Sequence, residues 1–257
     1  MTIFSLATKI FFREFRSGQL LLMFFSLSLA VGIVASITFF TDRLDGSLMM
    51  ESKQFLGGDL KYESDTPLDE SSFPIGDYSY ANIYEFGSVL GSTKKFQLAS
   101  VKSVSSPYPL IGEIEILNKN DEKVLRTNPP KMGEVWLDTR LANLLEVSIK
   151  DTINIGEKDF SISGIILAEA DRGAGSFAFA PKAIMNSYDL EEANVIQPGS
   201  RVRYSYVFVG SQEAIKLLEN FFQSKKKPGA EITTPGHATS PLGRAIKRAS
   251  NFFLLGA

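Results

Sequence analysis

Apolar positions follow three different rules along the chain. Between Ser17 and Thr41 no residue is charged, and Leu20 to Phe40 is apolar on every side, interrupted only by Ser26, Ser28, Ser36 and Thr38. As a helix this run measures about 30 Å, the thickness of a bilayer's hydrocarbon core. A soluble core helix would keep one polar stripe, so the pattern predicts a transmembrane helix over 19–41. A cleaved signal peptide is the rival reading, with small residues at Ala35 and Ser36. The apolar run is about twice the usual core of such peptides, which favours an uncleaved anchor.

A second rule governs residues 2–16. On a helical wheel Ile3, Phe4, Leu6, Ala7, Ile10, Phe11 and Phe15 fall in one half, and Thr2, Ser5, Lys9, Arg13 and Arg16 in the other, with Phe12 and Glu14 as exceptions. Such a helix lies in the membrane interface, apolar face toward the acyl chains and cations toward anionic headgroups. The plainer alternative is the charged leader of an anchor. Lys9, Arg13 and Arg16 precede the span while Asp42, Arg43 and Asp45 follow it, which places the N-terminus in the cytoplasm and everything after Thr41 outside.

Beyond the span, Leu44, Leu48, Phe55 and Leu56 keep a helical spacing up to Gly57-Gly58, so the helix is expected to continue as a stalk over 42–56. The period then changes to two. Residues 59–64, 82–86, 95–101 and 110–117 read as half-buried strands, and 151–155 with 160–166 as a hairpin around Gly156 to Asp159. Leu137 to Leu145 reads as a short helix with Asp138 near its start. A further strand, 204–209, is followed by a helix capped by Ser211, with Ala214, Leu217, Leu218, Phe221 and Phe222 on one face. Lys225, Lys226 and Lys227 suit its C-terminal end, and 231–234 is a returning strand.

The resulting organisation is a membrane-anchored α+β chain: a cytoplasmic amphipathic elbow helix at 1–18, a transmembrane helix at 19–41 and an extracytoplasmic domain at 42–243. That domain is expected to be two-lobed and mixed α/β, with the stalk 42–56, a discontinuous lobe of 57–105 plus 200–235, and a strand-rich lobe inserted at 106–199. Arg244, Lys247 and Arg248 precede Asn251 to Ala257, so 244–257 reads either as an amphipathic tail or as the start of a second transmembrane helix at which the chain is cut.

Composition narrows the chemistry. Of 257 residues 44% are hydrophobic, and 27 basic against 29 acidic residues leave a net charge of −2, so a core can form and no basic surplus points to nucleic acid. The absence of cysteine excludes thiol catalysis, disulfides and a lipoprotein cysteine. No glycine is followed by lysine, so there is no phosphate-binding loop for ATP hydrolysis. Gly173-Ala-Gly175-Ser-Phe-Ala178 imitates a dinucleotide fingerprint, yet Glu169 to Arg172 separate it from the preceding strand and Pro181 follows too soon for a helix; it reads as a loop. The single histidine, His237, stands in a Thr/Pro/Gly/Ser linker. Asp171 and Arg172 could pair in the same Gly-rich loop, and Trp136 is expected in the core or at a lobe interface. No catalytic, cofactor-binding or metal-ligating residue is assigned, and no cofactor is expected.

Several segments carry a resemblance. Gly133-Glu-Val-Trp-Leu-Asp-Thr-Arg-Leu-Ala142, Leu145-Glu-Val147, Asp151-Thr-Ile-Asn-Ile-Gly156 and Phe160-Ser-Ile-Ser-Gly164, behind a basic leader and one span, resemble the external domain of MacB/FtsX-type ABC transporter permeases. More narrowly, Phe39-Phe-Thr-Asp-Arg43, Asp171-Arg-Gly173, Phe179-Ala-Pro181 and Gln197-Pro-Gly-Ser-Arg-Val-Arg-Tyr204 resemble YbbP-like permeases, and Pro241 to Ala249 the approach to their second span. The resemblance implies a MacB-like periplasmic core domain in the bacterial inner membrane. It implies a non-catalytic permease subunit partnered by a LolD-like ATPase and membrane lipids, which handles lipid, lipoprotein or envelope substrates. Its ATPase-binding cytoplasmic loop would lie beyond this chain. Two other classes remain to be set against it: a single-span scaffold or sensor, and an anchored hydrolase, for which no nucleophile and base are paired in the sequence.

Overall fold

The computed structural model describes residues 18–169 and 180–235, together with Arg13 and Arg248. The elbow helix, the Asp171–Arg172 and Gly173–Ala178 loop, His237 and the segment 244–257 therefore lie outside the described residues, apart from Gly18 and the isolated Arg13 and Arg248. Two compact units are present, one containing Met1–Met49 and Ala238–Ala257, the other Met50–His237.

From Gln19 the described part of the first unit is helical. Helix α1, Gln19–Leu56, runs for 38 residues and crosses into the second unit for its last turns. Three of its hydroxyls bond back to the helix: Ser26 Oγ to the Met23 carbonyl at 2.9 Å, Thr38 Oγ1 to Val34 at 2.9 Å and Ser47 Oγ to Arg43 at 3.0 Å. Such back-bonding satisfies donors where no water is available. The helix ends where the sequence places the stop: Gly57 adopts φ +77°, and the amides of Gly57 and Gly58 reach back to the carbonyls of Gln54 and Lys53.

The second unit is built on one mixed sheet. Its strands are β1 (Leu60–Ser64), β2 (Tyr78–Gly91), β3 (Phe96–Val104), β4 (Ile114–Leu117), β5 (Lys123–Arg126), β6 (Glu134–Asp138), β7 (Thr152–Ile155), β8 (Lys158–Glu169), β9 (Lys182–Asn186), β10 (Val202–Gly210) and β11 (Glu231–Thr233). Their order is β11-β1-β10-β2-β3-β9-β6-β8-β4-β5, with β7 pairing β2 and β8. Strands from 60–104 and 202–233 fill one end and strands from 114–186 the other. The parallel pairs β3–β9 and β6–β8 lie in the second half and at its junction with the first. Strands β10 and β11 both pair antiparallel to β1, on opposite sides, so the β-α-β unit that ends the domain holds β1 between its two strands.

Among the described residues three α-helices accompany the sheet: α2 (Thr139–Leu145), α3 (Leu190–Ala193) and α4 (Gln212–Ser224). The Asp138 carboxylate accepts from the Leu141 amide at 2.5 Å, and Ser211 Oγ from the Ala214 amide at 3.3 Å, as N-caps do. Lys225 is the C-cap of α4; Lys225 Nζ sits 4.5 Å over the Phe221 ring, and Lys227 bonds Thr66.

Alternation divides the core. On β2, Ala81 and Ile83 join Trp136, Ile184 and Val207 in one cluster, whereas Phe86 and Leu90 join Leu137, Leu145, Phe160 and Met185 in another. Side chains two residues apart share a face and those an odd number apart do not, so these clusters occupy opposite faces. A third cluster, around Tyr62, Tyr206, Phe208, Leu218 and Phe222, packs α4 on the sheet. Trp136 is 4% exposed, a core residue. The expected fold class, an apolar N-terminal helix followed by a mixed α/β domain, is the one observed.

The strand and helix boundaries differ from expectation around 134–145. Leu137 lies within β6, which runs to Asp138, and the helix begins only at Thr139.

Candidate functional site

The first functional element is α1. Over Leu20–Leu56 it is long and apolar enough to cross a membrane, with a mean hydropathy of 2.5 in its most apolar window and none of that window buried within the molecule. Phe24, Phe25, Phe39 and Phe40 are all more than half exposed. In a folded domain such residues would face a core; here they fit a transmembrane segment.

The second is a buried charge cluster where β8 ends. The parallel register sets Ser100 opposite Lys182 and Lys102 opposite Ile184, so Lys102 and Lys182 lie diagonally on one sheet face, and β8 delivers Glu169 beside them. Lys102 Nζ donates to Glu169 Oε1 at 2.6 Å and to the Tyr108 hydroxyl at 2.7 Å, and that hydroxyl donates to Glu169 Oε1 at 3.0 Å. Lys182 Nζ stands 3.8 Å from the other carboxylate oxygen. The Lys102 and Glu169 side chains are 2% and 6% exposed. Taking an ammonium out of water costs several kcal/mol unless partners surround it, and these groups supply them. The cluster ties β3, β8 and β9 together immediately before residue 170. Sequence reading did not single out Lys102, Tyr108 or Glu169; the only signal was a lysine inside the strand pattern that continues from Val101 to Val104.

A second buried carboxylate, Asp189, is completely enclosed. It accepts from Lys158 Nζ at 2.7 Å and from the Gly133 amide at 3.0 Å, while Glu192 holds the same ammonium. The hydrogen bond to Asp189, followed by that to Glu192, holds Lys158 above its ordinary range. The role this geometry supports is joining the β6, β8 and α3 segments.

The tyrosines under α4 show no activation. Burial pushes Tyr80 up to about 12, with Glu70, which accepts its hydroxyl proton, acting in the same direction. Burial likewise raises Tyr84, Tyr206 and Tyr204. A hydroxyl shifted upward is a poorer nucleophile and base at neutral pH. Among the described residues no group of three or more His, Cys, Asp or Glu side chains could hold a metal ion.

An apolar helix of membrane-spanning length leading into a mixed sheet, with charge clusters that bind strands together, fits a membrane-anchored protein that carries a folded α/β domain. The sequence relationship makes this specific. The chain is 31% identical over 254 residues to the uncharacterized ABC transporter permease YbbP of Escherichia coli (strain K12). This covers 96% of the chain and 30% of that permease, so the chain spans about a third of the length of the curated relative it matches. The resemblance to ABC transporter permeases read from the sequence is thus borne out. No protein-family model matches the chain. Among solved structures, it is similar to the periplasmic region of MacB from Actinobacillus actinomycetemcomitans, with TM-score 0.48 and 11% identity over 79% of this chain and 97% of that one. It is also similar to the extracellular domain of the noncanonic ABC-type transporter YknZ from Gram-positive bacteria, with TM-score 0.41 and 9% identity over 68% of this chain and 100% of that one.

Proposed function

We propose that this chain serves as part of the permease subunit of an ABC transporter, non-catalytic in itself, which couples ATP hydrolysis by a LolD-like partner ATPase to motion of an external domain. In this reading 1–18 is a cytoplasmic elbow, 19–41 the first span and 42–56 a stalk. The sheet of 57–235 is then a periplasmic working domain with its strand-rich lobe at 106–199, and 244–257 opens a second span. The work done is export, or the handling of envelope lipid or lipoprotein. The observation that carries the proposal is the 31% identity to an ABC transporter permease over 96% of the chain, joined to an unburied apolar helix at its N-terminal side. The polarity of the charges flanking that helix supports a cytoplasmic N-terminus.

The test is co-purification. The protein encoded by the complete reading frame, co-expressed with a LolD-like ATPase from the same cell, is expected to be recovered from detergent as a stable complex. Recovery from the membrane with the ATPase left behind, for chains that are otherwise well folded, would instead support a single-span scaffold or sensor.

A further inference from the structure

On the side of the sheet away from α4, the β4–β5 hairpin and the connection 127–131 border a cavity of about 530 Å³, within the range of small-ligand sites. Ile116, Leu125 and Trp136 supply an apolar wall. Gly164 lets that wall form, since a Cβ there would lie 2.9 Å from Ile116 Cδ1 and 3.1 Å from Trp136 Cδ1. Ser163 also lines the cavity; it is 8% exposed, and its Oγ has no hydrogen-bond partner. Native proteins rarely leave a buried hydroxyl unmatched. A ligand oxygen would satisfy it.

The charges around the cavity are unbalanced. Lys119, Arg126 and Lys131 face one carboxylate, Glu134, and Glu134 is engaged by Lys119 at 3.5 Å. Arg126 and Lys131 form no ion pair among the described residues, and so present two cations beside an apolar wall. An anion gains from such a pair, above all from the forked donors of an arginine. We infer that this cavity is a binding site for a small soluble anionic amphiphile. A phosphate or carboxylate would meet Arg126 and Lys131, a polar atom would reach Ser163, and a short apolar chain would lie on Ile116, Leu125 and Trp136. The inference stands on the cavity alone and does not depend on the transporter reading.

Trp136 is the chain's single tryptophan, so its fluorescence reports the site directly. The full chain, reconstituted in phosphatidylcholine vesicles, is titrated with hexyl phosphate, hexanol and inorganic phosphate. The expected result is a saturable fluorescence change with hexyl phosphate at least tenfold tighter than with either fragment. Arg126→Glu combined with Lys131→Glu, at two exposed positions, weakens binding at least tenfold, and Ser163→Ala weakens it about fivefold, as one neutral hydrogen bond would. No saturable change with hexyl phosphate overturns the inference. So does equal binding of hexanol or of inorganic phosphate, or an affinity unmoved by the double charge reversal in a variant whose circular dichroism is intact.

Discussion

Helix α1 and the sheet domain are both rich in large apolar residues, yet they dispose of them in opposite ways. Phe39 is 74% exposed and Phe24 63%, whereas Phe160, Phe208 and Leu60 in the sheet domain are fully buried. The difference lies in pattern more than content. The sheet's apolar residues alternate or cluster on one helical face, and therefore find each other; those of α1 point in every direction and can be covered only by a surrounding apolar solvent. The sheet domain carries its own stabilising contacts, whereas the apolar window of α1 is unburied within the molecule and suits a lipid surrounding.

The largest expected effect tests this contrast at two phenylalanines. Phe222→Ala removes a ring that contacts Tyr62, Phe73, Phe208 and Phe221 from a site 1% exposed, and should cost the sheet domain about 3–5 kcal/mol in urea unfolding. Phe25→Ala, on the exposed surface of α1, should leave that transition within about 0.5 kcal/mol of its original position. Equal effects at both positions would mean that α1 is packed as a soluble core helix.

A smaller effect concerns pH. Tyr80 and Tyr84 are raised in the folded state by burial. Below the ordinary tyrosine pKa, about 10, both folded and unfolded forms keep their protons and stability is unaffected. As pH rises through that value the unfolded chain ionises first, so stability should fall between pH 10 and about 12, where Tyr80 titrates in the fold. Tyr80→Phe combined with Tyr84→Phe should flatten this alkaline loss. A steep loss retained in the double variant would place its origin elsewhere.

How much of this was legible in the sequence depended on how far each element's pattern departs from uniformity. Helix α1, its stop at Gly57, the Ser211-capped α4 and the strands with clear alternation were readable because only one face, or no face, is buried. Strands β6 and β9 were not read. Glu134-Val-Trp-Leu-Asp138 and Lys182-Ala-Ile-Met-Asn186 lie in the middle of the sheet, with three consecutive buried residues in the first and four in the second. Burial on both sides erases the period of two. Leu137 then lent itself to the leucine spacing of the helix that follows. The Lys102–Tyr108–Glu169 cluster was hidden for another reason: its members are 6 to 67 residues apart, and only the sheet order β3-β9-β6-β8 brings them together. The absence of catalytic motifs, in contrast, needed no structure to be noticed, since phosphate-binding loops and cysteine sites are local patterns.

Under the proposed function the sheet domain stands outside the membrane on a helix whose N-terminus is cytoplasmic. The chain has no cysteine, and Ile75 is fully exposed, so Ile75→Cys gives a single labelling site on the sheet domain. In intact spheroplasts a membrane-impermeant maleimide should label this variant at once, while Thr2→Cys should react only after lysis. Labelling of Thr2→Cys in intact spheroplasts, with Ile75→Cys protected until they are opened, would contradict the account.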